Sequence, residues 1–232
     1  MTIIERAAHF STLDYVAVAT LIVTWLAIGW RIEHPSAKAP STSRLMVQYR
    51  RHWMAEMIHR DPRIFDAQIV ASLRQGTAFF ASTAIIALGG VLAVLGNTER
   101  LTMIASDFVV ADAPAFVWEI KIVLIVLFLT NAFLKFVWAN RLFAYTSILM
   151  GAVPTDPNDP LCETRSGQAA EISNLAAQSF NRGLRAVYFS LAGIAWLAGP
   201  IALLLATAFT VAVIWRREFA SKSRKVLLST AM

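Results

Sequence analysis

Four long apolar segments, separated by polar connections, dominate the hydrophobic pattern of the chain. They run over about residues 13–30, 76–95, 116–138 and 187–215. A helix needs roughly 20 apolar residues to cross a bilayer, and each segment meets that length. The pattern therefore predicts an all-α polytopic membrane protein, a four-transmembrane-helix bundle that forms a single membrane domain over residues 1–232.

The first apolar segment is open to a second interpretation as a secretory signal peptide. Arg6 precedes it and the small-residue triplet Ala37-Lys38-Ala39 follows it. The segment is long for a signal sequence, however, and a polar stretch with Arg31 and Glu33 separates it from the triplet. We expect a retained transmembrane helix.

The fourth segment is longer than one span needs and contains Gly199-Pro200 near its middle. A kinked, tilted span is the simplest interpretation and the one we expect. A re-entrant hairpin is the alternative. It would return the basic tail after Trp215 to the side of the other basic loops.

The polar connection after the first segment contains an amphipathic helix at about residues 44–60. Its apolar positions recur at helical spacing, namely Leu45, Met46, Tyr49, Trp53, Met57 and Ile58. Such a basic amphipathic helix lies on the cytoplasmic leaflet or packs against the bundle's own cytoplasmic end. Asp61-Pro62 then predicts the start of a helix that continues into the second span, as a cytoplasmic extension.

Composition and charge place the basic surface next to lipid. Only 16% of residues are charged and 57% are apolar, whereas soluble domains carry about 25% charged residues. The net charge of +6 comes from Lys and Arg beside the apolar segments, which favours anionic membrane lipids as partners and not nucleic acid. Loops 31–74 and 141–186 hold eight and four of these residues. The positive-inside rule therefore predicts that both loops are cytoplasmic, in a bacterial inner membrane.

Several short stretches carry a resemblance to a known family. They are Arg63 to Ile69 (RIFDAQI), Phe79 to Thr83 (FFAST), Phe133 to Trp138 (FLKFVW) with Asn140-Arg141, Phe180 to Arg185 (FNRGLR) with Tyr188-Phe189, and Arg217-Glu218-Phe219. Together they resemble domain of unknown function family 599, which is found in bacteria and plants. The resemblance implies a multi-spanning membrane protein, and it implies no reaction and no catalytic residue.

Lys135 is the most conspicuous polar residue within an apolar segment. An ionisable side chain inside a span is costly and marks a candidate functional site. With its neighbours it forms a candidate polar belt, consisting of Ser82, Thr83, Asn131, Lys135 and Ser190. Such a belt could hold a lipid phosphate, an anion or a permeating solute. Alternatively, Lys135 reaches to the interface and the other side chains join helices.

A second candidate set lies on the polar extensions of the spans. This cytoplasmic collar consists of Arg63, Asp66, Gln68, Glu171, Asn181, Arg182 and Arg185. Its charges predict a salt-bridged collar that fixes helix packing, or a site for an anionic ligand or for a partner's acidic tail.

Catalytic and metal-binding patterns are weak. Glu56-Met57-Ile58-His59 matches half of a di-iron motif, but no second Glu-x-x-His is present. Cys162 is the only cysteine, which excludes thiolate clusters. We therefore expect no catalytic residue, metal or cofactor. A lipid-directed enzyme that uses His59 and Asp66 as an acid/base pair is the weakest alternative.

The leading hypothesis is a non-enzymatic membrane protein that acts through helix packing, as an accessory or assembly subunit or as a homo-oligomeric scaffold. Gly89-Gly90 supplies a surface for close helix packing. The alternative is a small channel or transporter lined by the polar belt around Lys135.

Overall fold

The computed structural model describes residues 9–97 and 114–229, and these residues form helices and no strand. The helices are α1 (Thr12–Glu33), α2 (Thr42–Met57), α3 (Ile64–Leu95), α4 (Ala115–Gly151), α5 (Leu161–Ile194), α6 (Pro200–Phe219) and α7 (Lys222–Ser229), with a 3-10 turn at Ala195–Ala198. Four stretches are long and apolar enough to cross a membrane, namely α1, α3, α4 and Pro200–Ser229. The all-α polytopic bundle is therefore confirmed. Most of the connection between the second and third spans lies outside the described residues.

Helices α3 and α4 extend well beyond their apolar segments. Helix α3 begins at Ile64, twelve residues before Gly76, and α4 continues to Gly151. The expected start at Asp61-Pro62 is thus slightly early; the peptide bond between these two residues is cis. The polar extension of α3 carries Asp66 and Gln68 of the predicted collar, and four further collar residues lie on α5.

The fourth apolar segment is a helical hairpin and not one kinked span. Gly199 has φ +116°, a left-handed conformation that favours glycine, and it separates α5 from α6. Arg217 near the end of α6 donates a hydrogen bond to the hydroxyl of Tyr188 in α5. In one continuous helix these two residues would lie about 44 Å apart. The kinked span, our first expectation for residues 187–215, is therefore wrong, because the chain reverses at Gly199.

The chain divides into two compact units. Unit 1 contains the described parts of Met1–Arg31, Thr83–Ala132 and Leu184–Arg217. Edge-to-face and stacked rings hold its helices together: the ring centroids of Trp25 and Phe128 are 5.1 Å apart, and those of Phe128 and Phe189 are 6.3 Å apart. The indole N–H of Trp196, in the hairpin turn, donates to the Asp14 carboxylate in α1 at 2.7 Å. The turn is thus fixed to the start of the first span.

Unit 2 contains the described parts of Ile32–Ser82, Phe133–Gly183 and Glu218–Met232. Its core joins α2, α3, α4 and α5 through Met54, Met57, Val70, Leu142, Phe143, Met150, Val153, Cys162, Ala169, Ala170, Ala176 and Ala177. The short alanine side chains let α5 approach its neighbours closely. Since Met54 and Met57 are fully buried, the amphipathic helix packs against the protein's own helices.

A second contact in unit 2 depends on a glycine in α5. The rings of Phe80, Phe136 and Phe180 meet with centroids 5.4–5.5 Å apart. A Cβ on Gly183 would lie 2.7 Å from Cε1 of Phe136, which is too close for two carbon atoms. The absent side chain therefore makes room for the ring.

Candidate functional site

Asp66, one of the predicted collar residues, is a fully buried carboxylate near the start of α3. Its Oδ1 accepts a hydrogen bond from the indole N–H of Trp53 at 2.7 Å and another from Arg60. A buried carboxylate is stable only when it is paired and hydrogen-bonded. These contacts fasten α2 and the α2–α3 connection to α3.

Glu33, the last residue of α1, forms the second ionic contact of unit 2. Arg182 donates to it from Nε at 2.9 Å and also from Nη2, and the Gln178 amide donates at 3.0 Å. Gln178 and Arg182 are four residues apart on α5, so both reach the same carboxylate. The hydrogen bond from Arg182 to Glu33 raises the pKa of Arg182.

Glu218 binds the amino end of α2. Its carboxylate accepts hydrogen bonds from the backbone N–H of Ser43 at 3.0 Å and from the Ser43 hydroxyl at 2.8 Å. The Thr42 hydroxyl donates to the Glu218 carbonyl at 3.1 Å, and Asn181 Nδ2 donates to Ser43 Oγ at 3.3 Å. A negative charge at a helix N-terminus is favourable. The last turn of α6 therefore contacts α2, which in turn is bonded to α5 through Asn181.

Another ion pair of the collar set is exposed. Arg51 Nε lies 2.6 Å from Glu171 Oε1, and about half of each side chain is open to solvent. The hydrogen bond to Glu171 raises the pKa of Arg51. Exposed pairs contribute roughly 0–1 kcal/mol, so this contact adds little to stability.

Most of the predicted collar residues contact partners outside the predicted set. Asp66, Glu171, Asn181 and Arg182 each bind a residue outside the set, as described above. Arg63 donates to the carbonyl groups of Val153 and Pro154 at 2.6 Å each, at the end of α4. Gln68 is exposed. Arg185 belongs to unit 1, where it is buried beside Gly29 of α1.

The polar-belt residues differ in exposure. Ser82 and Thr83 are exposed on α3, whereas Asn131 and Lys135 are partly buried on α4. Ser190 is buried and donates to the carbonyl of Val187 in its own helix at 2.8 Å. Ser82 and Lys135 belong to unit 2, and the other three belong to unit 1. A shared path lined by all five residues stays a prediction.

The sequence pattern missed Lys121, which is buried in the apolar part of α4. Its Nζ lies 4.9 Å from the centre of the Trp118 ring and 5.8 Å from that of Trp196. Such cation–π contacts are favourable away from water. The available signal was the three-residue spacing of Trp118 and Lys121, together with an opposite charge, Asp14, near the start of the first span.

Helix α3 is the least buried of the four candidate spans. Only 11% of its most apolar 18-residue stretch is buried inside the protein, against 44% for the corresponding stretch of α4. Within the part of the chain that the structure describes, a Cβ added to Gly76, Gly89 or Gly90 would meet no neighbouring atom within 4 Å. Ile86 is exposed on the same face as Gly89 and Gly90. We call the surface formed by Ile86, Gly89 and Gly90, all in unit 1, the open α3 face.

Among the described residues, no group of three or more His, Cys, Asp and Glu side chains could hold a metal ion.

Comparisons with known proteins identify a family. No curated protein and no solved structure matches the chain. The family model described as protein of unknown function, DUF599, matches residues 16–223, which confirms the resemblance drawn from the short stretches above. The chain therefore belongs to the DUF599 family, and it is a multi-pass membrane protein.

Proposed function

We propose that this protein is a non-enzymatic scaffold of the bacterial cytoplasmic membrane and that it assembles as a homo-oligomer through the open α3 face. The observation that carries the proposal is the pair Gly89-Gly90, which lies in an apolar span where a Cβ added to either glycine would meet no atom of the described residues within 4 Å. A second copy of the chain, packed against this face, would cover it.

Glycine in a helix is a costly choice unless it permits a close approach. It is less favourable than alanine in a helix interior by about 1 kcal/mol. In membranes, small residues at a helix surface let two backbones come close. Ile86, Gly89 and Gly90 are spaced as i, i+3 and i+4, so they lie on one face of the helix.

The proposed orientation follows from the basic residues. The hairpin returns the tail to the loops of unit 2, where Glu218 contacts Ser43. The tail and loops 31–74 and 141–186 together hold most of the Lys and Arg residues. The positive-inside rule favours the cytoplasmic side for all three. The hairpin thus removes the conflict that a single fourth span would create.

Three hydrogen-bonded carboxylates of unit 2 support a platform role. Asp66, Glu33 and Glu218 each hold at least two separate segments together. A surface held in this way loses little conformational freedom on assembly, which lowers the entropic cost of binding.

The oligomeric state of the full-length protein in lipid nanodiscs or liposomes tests this proposal. Gly90→Leu places a branched side chain on the open α3 face, and Ala19→Leu places the same side chain on an exposed position of α1 as the matched control. We expect a defined oligomer for the wild type and for Ala19→Leu, and a shift to monomer for Gly90→Leu.

Three results would contradict the scaffold proposal. A wild-type monomer at every protein-to-lipid ratio would remove it. Co-purification of a different polypeptide in fixed ratio, lost only in Gly90→Leu, would make the chain an accessory subunit. Solute or ion flux by a monomer, abolished in Lys135→Ala, would favour the channel alternative.

A further inference from the structure

An arginine-lined cavity lies in unit 2 between the start of α3 and the end of α4. Its volume is about 390 Å³, within the usual range for ligand pockets. Arg60, Arg63 and Arg74 line it, together with one acidic residue, Asp61. The lining therefore carries a net positive charge.

Short side chains keep the cavity open between the arginines. Arg63, directly before α3, and Ala67, Ala71 and Arg74 on α3 follow one another at four, four and three residues, so they line one side of the cavity. Arg63 and Arg74 are about 16 Å apart along the helix axis. Leucine at position 71 would occupy space that alanine leaves empty. Both arginines thus line the same cavity.

Two of the three guanidinium groups are held in place by the protein. Arg63 donates to two carbonyl groups after α4, and Arg60 donates to buried Asp66. Each guanidinium has five N–H donors, so these contacts leave donors for a ligand. Among the residues that the structure describes, Arg74 has no ion-pair partner. Groups positioned in this way suit a ligand that accepts several hydrogen bonds and carries negative charge.

One end of the cavity lies next to the apolar segment of α3. Arg74 is two residues from Gly76, where the apolar segment of α3 begins. Asp61, Pro62 and Arg63, which precede the first turn of α3, form its other end. The amino end of a long helix attracts phosphate through its unpaired N–H groups and its dipole. Basic pockets beside transmembrane helices bind phospholipid headgroups by the same forces.

We propose that this cavity is a binding site for a phosphate group, presented either by an anionic phospholipid headgroup or by a soluble phosphorylated ligand. Arg74 and Arg60 would contact the phosphate oxygens, and Arg63 would shape the wall. The site is independent of the proposed oligomer, because all of its lining residues come from one copy of unit 2.

Four variants of the full-length protein test the proposal in nanodiscs. Arg74→Gln removes a charge from the cavity, and Arg44→Gln removes one from an exposed position of α2 outside it. Ala71→Leu fills the cavity without a change of charge, and Ala55→Leu makes the same change at an exposed position of α2. In one arm, native mass spectrometry measures retention of phosphatidylglycerol or phosphatidic acid against phosphatidylcholine. In the other arm, calorimetry in phosphatidylcholine nanodiscs measures binding of glycerol 3-phosphate and of inorganic phosphate.

We expect Arg74→Gln to weaken binding about 10-fold, as for the loss of one charged contact, and Ala71→Leu to weaken it at least as much because it fills the cavity, with both controls at the wild-type value. A selective effect in the lipid arm alone identifies a headgroup site, and one in the calorimetry arm alone identifies a soluble ligand. The proposal is overturned if neither arm shows saturable binding. It is also overturned if Arg44→Gln weakens binding as much as Arg74→Gln, because the attraction would then be a general effect of charge.

Discussion

Replacement of Asp66 by asparagine should loosen unit 2. The asparagine side chain keeps the shape of aspartate and an oxygen that can accept the hydrogen bond from Trp53, but it has no charge for Arg60. A hydrogen bond to a charged group contributes about 1.5–3 kcal/mol. Since 39% of the Arg60 side chain is exposed, solvent screens the pair and the lower half of this range applies. We therefore expect a loss of about 1.5–2 kcal/mol.

Cys162 provides a reporter of this loss. It is the only cysteine, and it is buried in the same core that Trp53 packs against. When unit 2 opens and closes quickly, the rate of maleimide labelling follows the open fraction. A loss of 1.5–2 kcal/mol then corresponds to labelling that is roughly 10- to 30-fold faster.

The matched control is Glu171→Gln, which removes the exposed pair with Arg51 and should change the labelling rate by less than about 5-fold. Equal labelling rates for Asp66→Asn and the wild type would refute the reasoning, because the buried carboxylate would then contribute nothing to the closed state. Labelling of all proteins in full denaturant must be equally fast for the comparison to hold.

Three further substitutions test the packing of unit 2, two at glycines of α5 and one at Glu218. Gly183→Ala should destabilise it by about 1–3 kcal/mol, since the added Cβ meets the Phe136 ring; Gly167→Ala, in open space on the same helix, should stabilise it by up to about 1 kcal/mol. Cys162 labelling measures both, and effects of the same sign would contradict the packing argument. Glu218→Ala should release the tail from Ser43 at a cost of about 1 kcal/mol and speed tryptic cleavage of the tail about 5-fold. Cleavage at the wild-type rate would show that the tail is held in another way.

The first three spans could be predicted because lipid imposes a simple rule. A run of about 20 apolar residues has to be helical, since every backbone hydrogen bond must be made within the segment. The predicted spans 13–30, 76–95 and 116–138 accordingly lie inside α1, α3 and α4. Their polar extensions were harder to bound, because hydropathy no longer limits a helix that has left the apolar region.

The hairpin could not be predicted from the same rule. A Gly-Pro pair accommodates a kink as well as a reversal, and the apolar pattern is the same for both. The contact of Arg217 with Tyr188 distinguishes the two, and it joins residues that the sequence spacing gives no reason to pair. The basic tail was the one sequence feature that favoured reversal.

The partners of the candidate site residues were also beyond the sequence. The positions of Asp66 and Arg182 on the polar extensions were predicted, but their ion-pair partners, Arg60 and Glu33, come from other segments. In the sequence, Glu218 stands out only as part of the family stretch Arg217-Glu218-Phe219. A charge pattern shows which residues need partners, and only the packing of helices decides which partner each one meets.

Side-specific labelling tests the central claim, that the chain crosses the membrane with the hairpin tail and the basic loops on one side. Single cysteines in a Cys162→Ala background, at His9→Cys, Lys38→Cys and Lys222→Cys, would be treated with an impermeant maleimide in spheroplasts. The account predicts labelling of His9→Cys, and protection of Lys38→Cys and Lys222→Cys until the membrane is permeabilised. Labelling of Lys222→Cys in intact spheroplasts, with Lys38→Cys protected, would contradict it.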